Sequence, residues 1–272
     1  PLPGARVQTL PVREVENAEG LLSRIRGEVQ MGLAAARAMF SDACDLAVIS
    51  TPGYLAALVI AARARRKRVP YVLELRDVYP QVYAEAGLVS KTTWLYRFFE
   101  KRSQRLYEGA ALVVCATQGL AREVARSAPR AQVAHVYNGF PASLTLRKPI
   151  KHERFTVCFH GTMGFFQDIE TLVDVARRLQ PQGVDVVVIG YGRKESLLRQ
   201  SPLPNLRFLG RLPFDETIAE VERCHLGLCL RLDDDISRDA FPVKVWEYIG
   251  PGMPSVVTPP CEAGEFLQAN GC

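Results

Sequence analysis

Apolar residues along the chain follow two rhythms: short near-continuous runs, and longer stretches repeating at helical intervals. Residues 21–40 (LLSRIRGEVQMGLAAARAMF) follow the helical rhythm, as does the Ala-rich segment after Thr51-Pro52-Gly53, which closes on ARARRKR. Strand-like runs stand at Leu46–Ser50, at YVLEL after Pro70, at Ala111–Cys115 and at Val133–Val136, with an earlier candidate at Ala5–Leu10. A helix is predicted from Thr117 to Arg126, with Thr117 as its N-cap. Asn138-Gly139-Phe140-Pro141 then marks a turn, and the polar stretch up to Lys151 places a domain boundary, with units 1–147 and 148–272.

The second half restarts the alternation. Strands are predicted at Phe155–Phe159, Val184–Ile189, Leu206–Leu209 and Leu226–Leu230. The first three lead into HGTMG, GYG and Gly210-Arg211, each followed by a helix. The fourth leads into an acidic loop and then Val243–Ile249, a helix opened by Pro242, where proline is tolerated. Buried strands alternating with helices imply right-handed crossovers and open, doubly wound parallel sheets, an α/β fold.

One segment breaks the rhythm. In LVSKTTWLYRFFEKRSQRLY, residues 88–107, Trp94, Leu95, Phe98, Phe99 and Leu106 fall near one helical face, ringed by Lys91, Arg97, Lys101, Arg102 and Arg105. Packing of that face on the domain core is the favoured reading. Peripheral contact with a bilayer interface is the alternative. The basic cluster in ARARRKR reads first as dipole-complementing charge at a helix end.

Composition narrows the class. A chain of 272 residues, 48% hydrophobic and 23% charged, is of ordinary globular type and long enough for two cores of ~130 residues each. Its formal charge of +5 suits anionic ligands or a membrane surface and is too small for a typical nucleic-acid reader. Seven scattered cysteines without a CxxC pair argue for core thiols in a reducing, cytoplasmic setting and against a metal site. No apolar run reaches the ~18 residues that span a bilayer.

Glycines at strand ends let backbone N–H groups approach a phosphate, so Gly161 and Gly164 before a helix start are candidates for one. Gly190 and Gly192 lack the third glycine and downstream acid of a dinucleotide fingerprint, and no NAD site is assigned. In SRDAFPVKVWEYIGPGMP, seven residues separate Asp239 from Glu247, and Lys244 is one of them. A capped surface helix with solvated charges would explain this set equally well. The order is what raises it above that reading: two glycine loops, a Gly-Arg loop, then the paired acids.

FHGTMGFFQDIETLVDVARRL, VVVIGYGRKESLL, NLRFLGRL and DAFPVKVWEYIGPGMPSVVTP, in this order, resemble the donor-binding domain of family 4 glycosyltransferases of the GT-B type. YVLELRDVYPQVYAEAGL and VYNGF are similar to the bacterial subgroup that transfers amino or deoxy sugars in surface-polysaccharide assembly. The resemblance covers most of residues 46–260. It implies two Rossmann-like domains facing across a cleft. It also implies a retaining transfer from a nucleotide-diphosphate sugar, UDP favoured, to a lipid-linked or polysaccharide acceptor. Location would be cytoplasmic, or peripheral at the inner membrane face. No cofactor and no metal are expected; the run Asp233–Asp235 reads as a solvated loop.

By the same resemblance, Asp239 contacts the sugar hydroxyls, Glu247 holds the ribose and Lys244 neutralises the diphosphate leaving group. Gly161 and Gly164 line the diphosphate, Gly210-Arg211 lies beside the base, and Met163, Gly190, Gly192, Phe241, Pro242 and Val243 complete the donor site. Asp77, from the other domain, touches the donor sugar or orients the acceptor. Asp239 stands where the family usually has glutamate. Nothing before Leu46 matches the family's first strand and glycine-rich loop, so an incomplete first domain and a donor domain shortened at its end are expected. A nucleotide-sugar 2-epimerase of the same fold, with His160 as its histidine, and a nucleotide-binding fragment without turnover are the alternatives.

Overall fold

The computed structural model describes residues 21–41, 43–85, 87–142 and 149–271; the candidate strand Ala5–Leu10 lies outside them. The chain divides into two units, Pro1–Val136 and Tyr137–Cys272. The division falls eleven residues before the predicted boundary for a packing reason. Tyr137 and Phe140 already belong to the second unit's apolar cluster around Phe241, Val245 and Trp246.

In the first unit, β1 (Ala47–Ser50), β2 (Tyr71–Leu75), β3 (Leu112–Cys115) and β4 (Val133–His135) form a parallel sheet in that order. Around it run α1 (Leu21–Met39), α2 (Tyr54–Lys67), α3 (Gln81–Glu85), α4 (Trp94–Glu108) and α5 (Gln118–Ser127). Helix starts follow the capping chemistry of the sequence: Thr117 Oγ1 accepts from the Leu120 N–H at 3.0 Å, and Thr93 Oγ1 from the Tyr96 N–H at 3.2 Å. Leu73, Leu75, Val113 and Cys115 are fully buried, as expected for a sheet covered by helices. Tyr54 stacks on Tyr79 with ring centroids 4.6 Å apart, and its hydroxyl meets Ser103 Oγ at 2.9 Å, tying α2 to α4.

The second unit contains β5 (Thr156–Thr162), α6 (Ile169–Leu179), β6 (Asp185–Tyr191), α7 (Glu195–Arg199), β7 (Leu206–Gly210), α8 (Phe214–Arg223) and β8 (Leu226–Leu230). It continues through α9 (Asp235–Arg238), α10 (Val243–Ile249), β9 (Ser255–Thr258) and α11 (Glu262–Ala269). Its parallel sheet runs β7-β6-β5-β8-β9, so the strand order reverses between β5 and β8. Alternate residues of β5 and β6 serve opposite layers. Val157, Phe159, Val186 and Val188 pack under α6, while Cys158, Val187 and Ile189 pack with Val221 and Tyr248. None of the six described cysteines is in a disulfide.

Two strands run further than their apolar runs suggest. β5 continues to Thr162 and β6 to Tyr191, so His160, Gly161 and Gly190 are strand residues and not loop residues. The reason is a close backbone approach. Gly161 pairs with Gly190, and a Cβ on Gly190 (φ +146) would stand 2.0 Å from the Gly161 carbonyl oxygen. Only glycine permits that contact.

Candidate functional site

In open α/β sheets, ligands bind beyond the carboxyl ends of the strands, at the point where strand order reverses. In the second unit that point is the β5/β8 junction, and here β5 meets α10. Consecutive β5 residues touch the helix: Phe159 and Gly161 touch Lys244, and His160 touches Glu247 and Tyr248.

Lys244 is buried, with 8% of its surface exposed. Its ammonium sits 3.8 Å from the centre of the Phe159 ring and donates to Gln167 Oε1 at 3.2 Å. A Cβ added to Gly161 would lie 3.5 Å from Lys244 Cε and 3.6 Å from Nζ, so the glycine leaves the ammonium's flank clear. Among the described residues no carboxylate pairs with it. Burial pushes its pKa down to about 8, with Glu247 and Cys229 pulling it upward. An ammonium carries three N–H donors, and among the described residues this one has a single acceptor.

Glu247 lies one helical turn further on. Its Oε2 is 3.4 Å from His160 Nε2. The contact is not an ion pair at neutral pH, because burial and the Lys244 charge push the imidazole down to about 3. Burial also raises Glu247 above the usual carboxylate range, against the pull of Lys244. The result is a half-buried acid beside a neutral imidazole, with a buried cation on the same helix.

The strand-end loops add positive charge. Arg211 stacks on the Tyr191 ring at 4.6 Å, and Arg193 covers Phe165 at 4.4 Å. Lys194 donates to the Gln167 carbonyl at 2.9 Å and to Glu170 Oε2 at 2.9 Å. Gln167 therefore takes one lysine on its side chain and another on its main chain. It was not singled out in the sequence, since its partner Lys244 is 77 residues away and no local pattern marks it.

The remaining predicted residues divide by location. Gly164 faces open space, where a Cβ would meet nothing within 4 Å. Met163 is a core residue, fully buried under α6, with its N–H bonded to the Tyr191 carbonyl at 2.8 Å. Gly192 (φ +144) makes room for that crossing, since a Cβ there would lie 2.6 Å from the Met163 carbonyl oxygen. Phe241 is likewise a core residue, stacked on Trp246 at 4.5 Å, and it anchors the chain before Pro242, the N-cap of α10. For these side chains packing is the visible role. Val243 is exposed at the start of the helix, and Gly210 (φ +70) turns the chain into Arg211.

Asp239 closes α9, its N–H bonded to the Asp235 and Ser237 carbonyls, and its side chain is half-buried. The acidic run before it has structural work: Asp234 Oδ1 accepts from the Ser237 N–H at 2.7 Å, and Asp233 pairs with Arg238 at 2.9 Å. Among the described residues no group of three or more His, Cys, Asp or Glu is placed to hold a metal ion. Asp77 belongs to the first unit, in the loop after β2. There, after burial, its charge is the largest influence holding the Tyr79 phenol protonated.

Comparison with known proteins agrees with this fold. The chain resembles solved structures of HepE from Anabaena. One, in complex with UDP and glucose, has a TM-score of 0.62 at 17% identity, covering 90% of this chain and 66% of that one. Another, in complex with UDP-glucose, has a TM-score of 0.63 at 18% identity, covering 93% and 68%. TarM from S. aureus, in a complex that includes UDP, matches with a TM-score of 0.59 at 12% identity over 83% of this chain and 44% of its own. A UDP-N-acetylglucosamine 2-epimerase matches with a TM-score of 0.55 at 11% identity, covering 94% and 64%. The chain thus spans about two thirds or less of the length of most of these proteins. No curated protein matches it by sequence. The glycosyl transferase 4-like domain profile matches residues 2–139, half of the chain. With that match and two parallel α/β units of the kind found in GT-B enzymes, the chain belongs to the glycosyl transferase 4-like family.

Proposed function

We propose that this chain acts in glycosyl transfer from a nucleotide-diphosphate sugar, preferentially a UDP-sugar, to a lipid-linked or polysaccharide acceptor, with retention at the anomeric carbon. One observation carries the reading. Lys244 is a buried ammonium with a single hydrogen-bond acceptor among the described residues, set beside a glycine at the switch point of a parallel sheet. A cation held this way is costly unless an anion completes its coordination, and a diphosphate supplies both charge and acceptors. The presence of UDP in the HepE and TarM structures supports the same class of ligand.

Chemically, the bond from the anomeric carbon to the diphosphate oxygen breaks and its electron pair leaves with the phosphate. Lys244 stabilises the charge that develops there. The acceptor hydroxyl oxygen bonds to the same carbon, and its proton passes to the departing diphosphate. Glu247 takes ribose hydroxyls, Asp239 takes sugar hydroxyls, Gly161 and Gly164 admit the diphosphate, and Arg211 flanks the base. Asp77 serves the sugar or the acceptor. Cell-surface glycan assembly is the setting that such an acceptor implies.

The epimerase reading needs His160 as a proton carrier. An imidazole buried and pushed down to about 3 is poorly suited to that task near neutral pH. Incubating the protein with UDP- and GDP-sugars, with and without extracted lipid-linked acceptors, tests the proposal. Acceptor-dependent release of UDP supports it. Epimerised donor without acceptor, or no UDP binding by calorimetry, overturns it.

A further inference from the structure

The amphipathic segment singled out in the sequence separates, in the fold, into two faces. Phe99, Leu106, Tyr107 and Ser103 of α4 turn inward and pack with the core of the first unit. Trp94, Leu95 and Phe98 turn outward, with 77%, 39% and 43% of their surfaces exposed. Helical spacing puts Trp94, Phe98, Arg102 and Arg105 on one stripe. Aromatics of this size on a water-facing stripe are a feature that core packing does not explain.

Next to the stripe, α2 and α4 enclose a surface cavity of about 250 Å³. Its floor is apolar, from Leu58, Ala62, Phe98 and Phe99, and its basic lining is Arg65, Arg102 and Arg105. Arg65 donates to the Arg105 carbonyl at 3.2 Å, and Arg102 lies 4.9 Å from the centre of the Phe98 ring. Arg66, Lys67 and Arg68 at the end of α2, with Arg97 and Lys101 on α4, extend the exposed positive charge. Among the described residues none of these cations forms an ion pair with a carboxylate, although pairing is frequent elsewhere on the surface.

Unpaired arginines around an apolar hollow, beside an exposed tryptophan, match a surface that is apolar inside and anionic outside. We propose that the α2–α4 face docks on an anionic phospholipid bilayer, with Trp94 and Phe98 entering the interface and Arg65, Arg102 and Arg105 taking lipid phosphates at the cavity. A nucleic acid would use the arginines but has less need of a protruding indole beside an aliphatic floor. Binding follows the sum of inserted apolar area and screened charge attraction, so it weakens with salt.

The test is co-sedimentation with vesicles of phosphatidylcholine alone, or of phosphatidylcholine and phosphatidylglycerol in equal parts, with tryptophan emission recorded in parallel. The expected result is partition onto the mixed vesicles, with a blue shift that Trp94→Phe removes; the other tryptophan, Trp246, is buried in the second unit. Joint replacement of Arg102 and Arg105 by Gln is expected to weaken partition about 25-fold, at about fivefold per cation. Trp94→Ser with Phe98→Ser is expected to reduce it further while UDP binding and thermal stability stay unchanged, since these side chains are exposed. Equal partition onto both vesicle types, no partition, or arginine-dependent binding to single-stranded RNA that ignores Trp94 and Phe98 would overturn the proposal.

Discussion

Replacing Lys244 by methionine is predicted to make the protein more stable while weakening its binding of UDP. The ammonium is buried with one hydrogen bond, and its pKa falls from the ordinary 10.5 to about 8. A displacement of that size corresponds to about 3 kcal/mol held against the folded state wherever the lysine is charged. The sign follows from proton counts. Between pH 8 and 10.5 the unfolded chain holds a proton that the folded chain has released, so native stability rises with pH across this window and lacks the full increment below it. Methionine fills a similar volume without the charge. Loss of the Gln167 contact leaves that amide oxygen short of a donor, at a cost of about 1–2 kcal/mol. The net gain near pH 7 is then about 1–2 kcal/mol, or about 3–8 °C in the second unit's melting transition. The variant should also lose the rise in stability above pH 8. UDP affinity should fall by at least about 30-fold. In the native protein, UDP should draw a proton onto Lys244 above pH 8, visible by calorimetry as a buffer-dependent binding enthalpy. A Lys244→Met protein that melts lower, or that binds UDP as well as the native chain, would refute the reasoning.

Acid should act through His160: its imidazole, pushed down to about 3, must stay neutral in the fold while the unfolded chain protonates near 6.5. Stability contributed by this residue is present above pH 6.5 and lost as pH falls towards 3, about 2 kcal/mol by pH 5, and His160→Asn should flatten that slope in urea titrations. Gly190→Ala places a Cβ 2.0 Å from the Gly161 carbonyl oxygen and should destabilise by more than about 3 kcal/mol; a native melting temperature would show that the two strands separate easily. Gly164→Ala, whose Cβ meets nothing, should stay within about 0.5 kcal/mol of native stability yet weaken UDP binding, and unchanged affinity would remove Gly164 from the diphosphate path. Asp239→Asn should preserve UDP binding and slow sugar transfer about 100-fold; transfer at the native rate would end its assignment to the sugar.

Sequence patterns located most elements because each rests on local chemistry. Thr117 and Thr93 cap helices with their own hydroxyls, Pro242 sets the backbone before α10, and YVLEL and LGLCL are strands to the residue. Misplaced boundaries lie where the deciding contact is remote. β5 and β6 extend through their glycines because the two backbones meet each other, which an apolar run does not encode. Phe241 and Met163 look like donor contacts in the motif, yet Phe241 lies flat on Trp246 and Met163 is sealed under α6. Motif position shows where the chain passes; it does not show which way a side chain points. Lys244 and Glu247 could be singled out by spacing, while Gln167 and the His160 contact depend on pairings across 77 and 87 residues.

The same strand that builds the core also sets the chemistry. Along β5, Phe159 points into the layer under α6 and offers its ring to Lys244, His160 lies edge-on to Tyr248 and reaches Glu247, and Gly161 clears the lysine's flank. Tyr248, fully buried, fixes α10 to the sheet through its hydroxyl's bond to the Leu228 carbonyl at 3.1 Å. A carboxylate salt bridge would have satisfied Lys244 within the protein and left less of its charge for a ligand. With an amide oxygen, an aromatic ring and a neutral imidazole around it instead, the cation keeps most of its hydrogen-bonding capacity. On the proposed function, the stability lost by burying it is free energy that an arriving diphosphate would recover. Strengthening the fold at this position and strengthening donor binding therefore pull in opposite directions.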